Sequence, residues 1–370
     1  MAIKSISVFL PSLQGGGAER AALNLANWWA SNGYDVEFVL MEQRGEFLNA
    51  VSPTISIVSL DCKRFRQLPV ALAAYFKHQR PDVALVFMWP LTAIAVLAWM
   101  IAGRPSRLFL SEQVGLTDHV RRDLNTPLGM VRAILRFTHR KANGVMACSR
   151  GAADDLANLA ALRPETVYVI HNPVVEAVPP RIDFLYNASR REKLWQGQFH
   201  TYLVTVGTLK AQKNHRLLLQ AFAQVAPELD AALVILGEGG LRAMLEQDVQ
   251  DLGLQARVVM PGFHADPTPW YQSSDLFVLS SDFEGFANVV AEALACGTPV
   301  VSTDCPHGPA EILEHGRYGE LVPVGDADAL AAGIRRGLRR PWDREALQRR
   351  ALDFSIPRQA QAYLDLFNSL

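Results

Sequence analysis

Short apolar runs without polar alternation recur at residues 3–11, 36–41, 55–60, 83–88, 107–111, 144–148 and 166–170, separated by stretches with helical spacing. Such runs suit strands covered on both faces, the condition of a parallel sheet between helices. Strand and helix in alternation predict a doubly wound α/β domain over residues 1–175. The rhythm then lapses into His171-Asn172-Pro173-Val174 and a polar segment, which predicts an interdomain linker at 176–200. It restarts with strands expected at 202–207, 232–236, 258–260 and 276–279, a further strand ending at Thr303, and helices at 215–225, 241–251 and 269–273, which defines a second domain over 201–353. The remainder, from Asp326 to Leu370, reads as helical and rich in Arg-Arg pairs.

Residues 83–103 hold 21 positions without a charge, long enough to cross a bilayer. Pro90 divides them into a strand-like half and a short apolar helix, and Arg104-Pro105 opens the next strand. The expectation is therefore buried sheet plus packed helix.

A chain of 370 residues that is 49% hydrophobic can bury two cores. Its net charge of −1 conceals an asymmetry: residues 1–175 carry 18 Lys and Arg against 13 Asp and Glu, and residues 176–370 carry 18 against 24. The N-terminal half is the one suited to an anionic surface. Cys62, Cys148, Cys296 and Cys305 form no C-x-x-C pair and no zinc spacing with histidine, so neither a disulfide framework nor a metal is expected and a reducing cytosol fits. The apolar start runs straight into glycines, unlike a secretory signal.

The densest chemistry lies between Asp275 and Thr303. A buried strand leads into Glu284-Gly285-Phe286-Ala287-Asn288, followed by a helix with Val289, Val290, Ala293 and Leu294 at core-facing spacing that stops at Gly297 before Pro299. Such a helix start presents backbone N–H groups and suits phosphate. Glu284 in the loop and Glu292 just over a turn into the helix flank it, as a diphosphate with hydroxyl-bearing sugars on either side would require. A second loop of this kind, Gln14-Gly15-Gly16-Gly17, opens the first helix. Arg20 stands where a dinucleotide fingerprint needs its third glycine. A third segment, Thr205-Val-Gly-Thr-Leu-Lys-Ala-Gln-Lys-Asn214, delivers Lys213 to the start of a helix, where it is a phosphate candidate.

The stretch around Glu284 and Glu292, continued by Asp304-Cys305-Pro306-His307-Gly308-Pro309-Ala310-Glu311, resembles the E-x7-E signature of family-four retaining glycosyltransferases. That resemblance implies the GT-B fold, two Rossmann-like domains facing a cleft, with the last helix, about 354–370, returning to the first domain. It implies a nucleotide-sugar donor, with Glu284 on the sugar, Glu292 on the ribose, and the N–H groups of Phe286, Ala287, Asn288 and Val289 on sugar and diphosphate. It further implies that Gly16, Gly17, Gly207, Thr208 and Lys213 face the diphosphate and that Gly262 and Phe263 line the nucleobase pocket. Thr208 stands where the family often has arginine, with Lys210 as a substitute, and Gln113, at the carboxyl edge of a strand, lies where the family often places a histidine that this chain lacks. The Cys-Pro-x-Gly-Pro segment is most similar to N-acetylgalactosaminyl and related transferases of bacterial surface-glycan assembly.

Arg121, Arg122, Arg132, Arg136, Arg140 and Lys141 face Asp123 alone within 119–141, interleaved with apolar residues. This suits an amphipathic helix on an anionic membrane or a basic solvated face. Nucleic acid is not expected, because no recognition module accompanies the charge. Asp326-Ala-Asp328 mimics a metal-binding D-x-D, but Asp326 fits a helix N-cap. Together these features lead to a cytoplasmic, membrane-peripheral, metal-independent enzyme. It is expected to move a hexose or N-acetylhexosamine from a UDP-sugar to a polyprenyl-diphosphate-linked or other lipid-linked saccharide, with no further cofactor. A UDP-sugar 2-epimerase or a non-catalytic nucleotide-sugar-binding protein are the alternatives.

Overall fold

The structure, a computed structural model, describes residues 3–122, 126–180 and 188–370. Residues 123–125 of the basic segment, Asp123 included, and 181–187 of the expected linker lie outside the described residues. The chain forms two compact units, Met1–Glu176 with Phe354–Leu370, and Ala177–Asp353.

The first unit has seven strands: β1 (Ser5–Leu10), β2 (Asp35–Leu40), β3 (Ser56–Ser59), β4 (Val83–Phe87), β5 (Arg107–Glu112), β6 (Gly144–Ala147) and β7 (Val167–Val169). They pair in parallel in the order β3-β2-β1-β4-β5-β6-β7. Every residue of β4 is fully buried, which is why its sequence shows no alternation. The uncharged stretch is β4, a turn through Met88, Trp89 and cis-Pro90, and the helix Leu91–Ile101. No helix among the described residues is long and apolar enough to cross a membrane.

The last helix, Ile356–Ser369, belongs to this unit and packs on Gly17–Ser31. There Trp29 Nε1 donates to the Ala360 carbonyl at 3.2 Å, and the Phe367 ring lies tilted against Phe109, centroids 4.6 Å apart.

The second unit has six parallel strands: β8 (Thr201–Val206), β9 (Ala231–Leu236), β10 (Val258–Gly262), β11 (Leu276–Leu279), β12 (Val300–Thr303) and β13 (Glu320–Val322), in the order β10-β9-β8-β11-β12-β13. Both sheets are Rossmann-like and doubly wound. The sequence pattern omits β13, because three residues beginning with a glutamate on a sheet edge leave no apolar run to detect.

The polar segment before β8 is not a bare tether. It contains the helix Ala188–Trp195, and Trp195 is fully buried, donating from Nε1 to Ser273 Oγ at 2.9 Å. One aromatic anchor among charged residues was enough to form this contact without an amphipathic stripe.

Each sheet reverses its order once, between β1 and β4 and between β8 and β11. In open α/β sheets the crevice beyond the carboxyl ends of the strands at this reversal is where ligands bind.

Candidate functional site

In the second unit the loops after β8 and β11 meet at the reversal point and are tied together along their length. Asp282 N donates to the Gln212 carbonyl at 2.9 Å, Gln212 Nε2 to the Phe283 carbonyl at 2.7 Å, and Ser280 Oγ to the Lys213 carbonyl at 2.9 Å. Asn214 adopts the left-handed conformation that its side chain tolerates, caps the helix His215–Leu229 by accepting from Leu217 N, and gives Nδ2 to Asp282 Oδ1 at 2.8 Å.

This frame places Lys213 Nζ 2.6 Å from Glu284 Oε1, with side chains only 15% and 7% exposed. Ser281 Oγ donates to the same oxygen at 2.6 Å, and the Ser281 carbonyl is itself fixed by Thr303 Oγ1. Lys213 lies along Gly207, where a Cβ would sit 3.4 Å from its Cε. The sequence assigns Lys213 and Glu284 to different parts of a ligand; the fold joins them in one ion pair. Opposite charges this close offset part of each other's desolvation cost at this depth.

Behind the pair, Glu284 N donates to the Pro306 carbonyl at 3.1 Å. Phe286 is buried, and Ala287 takes φ 69° and ψ 61° as the N-cap of the helix Asn288–Ala295. A left-handed alanine costs on the order of 1–2 kcal/mol and persists where surrounding contacts fix it. The helix start therefore follows directly on the ion pair in the chain, with its positive end on the same side. Val289 follows in the first turn, and Glu292 in the next accepts from Tyr271 OH at 2.9 Å. Burial, and then the Glu292 carboxylate, raises the Tyr271 phenol well above its ordinary range. Burial and Glu292 likewise push the Cys296 thiol up to about 12, and burial with Glu284 nearby pushes Cys305 up further. Both thiols are protonated and inert as nucleophiles.

At the end of β10, Gly262 has φ 97° and its carbonyl accepts from Gly237 N at 2.9 Å, while the adjacent Phe263 is 46% exposed. Thr208 and Lys210 are both exposed in the loop after β8. Thus Gly207, Thr208, Lys213, Gly262, Phe263, Glu284, Phe286, Ala287, Asn288, Val289 and Glu292 all lie on or next to the carboxyl-edge loops of the second unit. Gly16, Gly17 and Gln113 occupy the carboxyl edge of the first. Gly16 caps the helix Gly17–Ser31 after β1. Gln113 is buried, its Nε2 donating to Ser111 Oγ at 2.8 Å while Oε1 has no partner.

Sequence reasoning missed His215. It is 4% exposed at the start of its helix, within reach of the Lys213 charge and of the Thr208 and Gly207 backbone. Burial, and then the Lys213 charge, lower its pKa to about 4, with the Thr208 and Gly207 backbone opposing weakly. The folded state therefore binds fewer protons than the unfolded chain between about pH 4 and 6.5. Stability is complete above pH 6.5 and falls as the pH drops toward 4, by roughly 3 kcal/mol at most. His215→Gln should remove this dependence from urea unfolding of the second unit. An unchanged slope in the variant would assign it elsewhere.

Residues 15–177 match the family model described as Glycosyltransferase Family 4, and residues 200–340 that described as Glycosyl transferases group 1. The chain carries glycosyltransferase domains of group 1 and family 4. The glycosyltransferase is 27% identical over 362 residues to the Campylobacter jejuni N-acetylgalactosamine-N,N'-diacetylbacillosaminyl-diphospho-undecaprenol 4-alpha-N-acetylgalactosaminyltransferase, spanning 94% of each chain. It is 25% identical over 337 residues to the Bacillus anthracis N-acetyl-alpha-D-glucosaminyl L-malate synthase, covering 87% of this chain and 84% of that one. The crystal structure of Anabaena HepE in complex with UDP and glucose superimposes with a TM-score of 0.83 at 21% identity, over 99% of this chain and 100% of that one. The glycosyltransferase therefore has the GT-B fold. The first matched segment contains Gly16, Gly17 and Gln113; the second contains Lys213, Glu284 and Glu292.

Proposed function

We propose that the protein is a retaining, metal-independent transferase that moves a hexose or N-acetylhexosamine from a UDP-sugar to a lipid-linked saccharide in bacterial surface-glycan synthesis. It would act on the cytoplasmic face of the membrane. The observation that carries this reading is the Lys213–Glu284 pair at 2.6 Å beside the start of the helix Asn288–Ala295, at the reversal point of a Rossmann-like sheet. A UDP diphosphate entering there would draw the Lys213 ammonium and the helix dipole onto its oxygens, leaving the Glu284 carboxylate to accept from sugar hydroxyls. Glu292, steadied by Tyr271, would accept from the ribose.

Departing charge would be stabilised by Lys213 and the backbone N–H groups at the start of the helix Asn288–Ala295. Retention follows from front-face attack, in which the leaving phosphate helps deprotonate the acceptor. That route needs no protein nucleophile and leaves Gln113 a positioning role. UDP is favoured by the UDP bound in HepE, and a diphospholipid acceptor by the name of the Campylobacter relative. The lipid is also favoured by the helix Leu128–Thr138, which exposes Met130 and Phe137 among Arg132 and Arg136.

The test is the product formed from an α-linked UDP-sugar in excess EDTA. An α-linked product is expected. A β-linked product, or activity abolished by EDTA and restored by a divalent cation, would overturn retention or metal independence respectively.

A further inference from the structure

The amino ends of β4, β5 and β6, the opposite edge of the sheet from Gly16, Gly17 and Gln113, surround a cavity of about 510 Å³. Its lining includes Arg80, Asp82, Trp99, Arg104, Arg107 and Lys141. The four cations arrive from separate places: the end of the helix Leu68–Gln79, the loop after Leu91–Ile101, the start of β5, and the turn His139–Lys141.

Neutral groups steady each head. Arg80 Nε donates to the Lys77 carbonyl, Arg107 Nη1 to the Phe367 carbonyl at 2.7 Å, Arg104 lies 5.4 Å from the Trp99 ring, and Lys141 Nζ lies 5.0 Å from the Phe137 ring. Asp82 is the one carboxylate in the lining, and its Oδ2 already accepts from the N–H groups of Lys4 and Ser5. Ser106 also lines the cavity, and its Oγ is enclosed without a hydrogen-bond partner among the described residues.

Four cations against one carboxylate, Asp82, which also attracts Arg107, leave the lining of this open pocket net positive. Three guanidinium groups supply forked donors matched to phosphate oxygens. We infer that this cavity binds a phosphate-bearing anion. Its volume exceeds that of phosphate alone and accommodates a phosphate with an attached polar group. Ile101, 65% exposed, lies just before Arg104, and Phe137, 53% exposed, lies beneath Lys141. Exposed apolar residues on the segments that carry the cations suit a phospholipid headgroup; a soluble phosphate ester is the other source of the same chemistry. The inference does not depend on the proposed transfer reaction, because its test reads binding alone.

The full chain in phosphate-free buffer should be titrated with inorganic phosphate by calorimetry. It should also be sedimented with phosphatidylcholine vesicles with and without phosphatidylglycerol. Arg80→Gln with Arg104→Gln removes two exposed charges, and Lys141→Gln provides a second variant should the double one fail to fold. Each should weaken binding about tenfold, the loss of charge-assisted phosphate contacts. Loss of phosphatidylglycerol-dependent sedimentation, with Arg132→Gln and Arg136→Gln leaving phosphate binding intact, assigns the headgroup. Loss of inorganic phosphate binding alone assigns a soluble ester. Variants that match the wild type in both arms, or a wild type that binds in neither, would overturn the site.

Discussion

Replacing Lys213 by alanine is expected to slow transfer at least about tenfold, and the double variant with Glu284→Ala should lose less than the two single losses together. Lys213 Nζ and Glu284 Oε1 are 2.6 Å apart in a nearly dry setting, so removing either partner strands a buried charge. Truncating one member of a fully buried pair costs on the order of 3–5 kcal/mol, and the slight exposure here places the expectation at the lower end. Lys213→Ala leaves the Glu284 carboxylate with Ser281 Oγ as a remaining donor and without its opposite charge. Glu284→Ala leaves the ammonium, which the UDP diphosphate could then neutralise. On the proposed reading, Glu284→Ala therefore lowers transfer far more than UDP affinity, whereas Lys213→Ala lowers both. Calorimetry with UDP, steady-state transfer rates and urea unfolding of the four proteins measure all three quantities. A coupling of about 1–3 kcal/mol in unfolding is expected from the contact. Strictly additive losses would mean that the pair does not act as one unit.

Much of the fold was legible because strands buried on both faces read as unbroken apolar runs, as in β4 and β11. Their carboxyl ends were legible too, since Gly16, Gly207 and Gly285 each interrupt a strand–helix unit where close backbone approach is needed. The joining of Lys213 to Glu284 was not legible. The two residues lie 71 positions apart, and only the strand order, with β8 beside β11, brings their loops together. His215 was hidden for a related reason: a histidine in the first turn of a helix reads as solvent-exposed until the loop before it folds back over the ring. Trp195 shows the converse, one aromatic residue seating a helix that its charged neighbours disguise as linker. The converging cations of the amino-edge cavity come from segments that are individually ordinary, so no local pattern marked them.

Gly308→Ala is expected to damage the second unit and the helix start proposed to bind the diphosphate, although Gly308 itself is assigned no ligand contact. Gly308 has φ 91°, outside the range that L side chains readily adopt, and a Cβ there would lie 2.3 Å from the Phe286 carbonyl oxygen. Backbone strain and overpacking together should cost roughly 2–5 kcal/mol of stability. The carbonyl it strikes immediately precedes Ala287, itself left-handed and the cap of the helix Asn288–Ala295. Relief of the clash must therefore move the helix start on which diphosphate binding is proposed to depend. A shift of about 1 Å in such a positioning element can cost on the order of 100-fold in rate. Gly316→Ala separates the two contributions, because Gly316 has φ 101° but nothing within 4 Å of its Cβ position. It should lose about 1–2 kcal/mol through strain alone and keep full transfer. Gly308→Ala unfolding no more readily than Gly316→Ala, with transfer intact, would show that the segment behind Phe286 does not hold the loop in place.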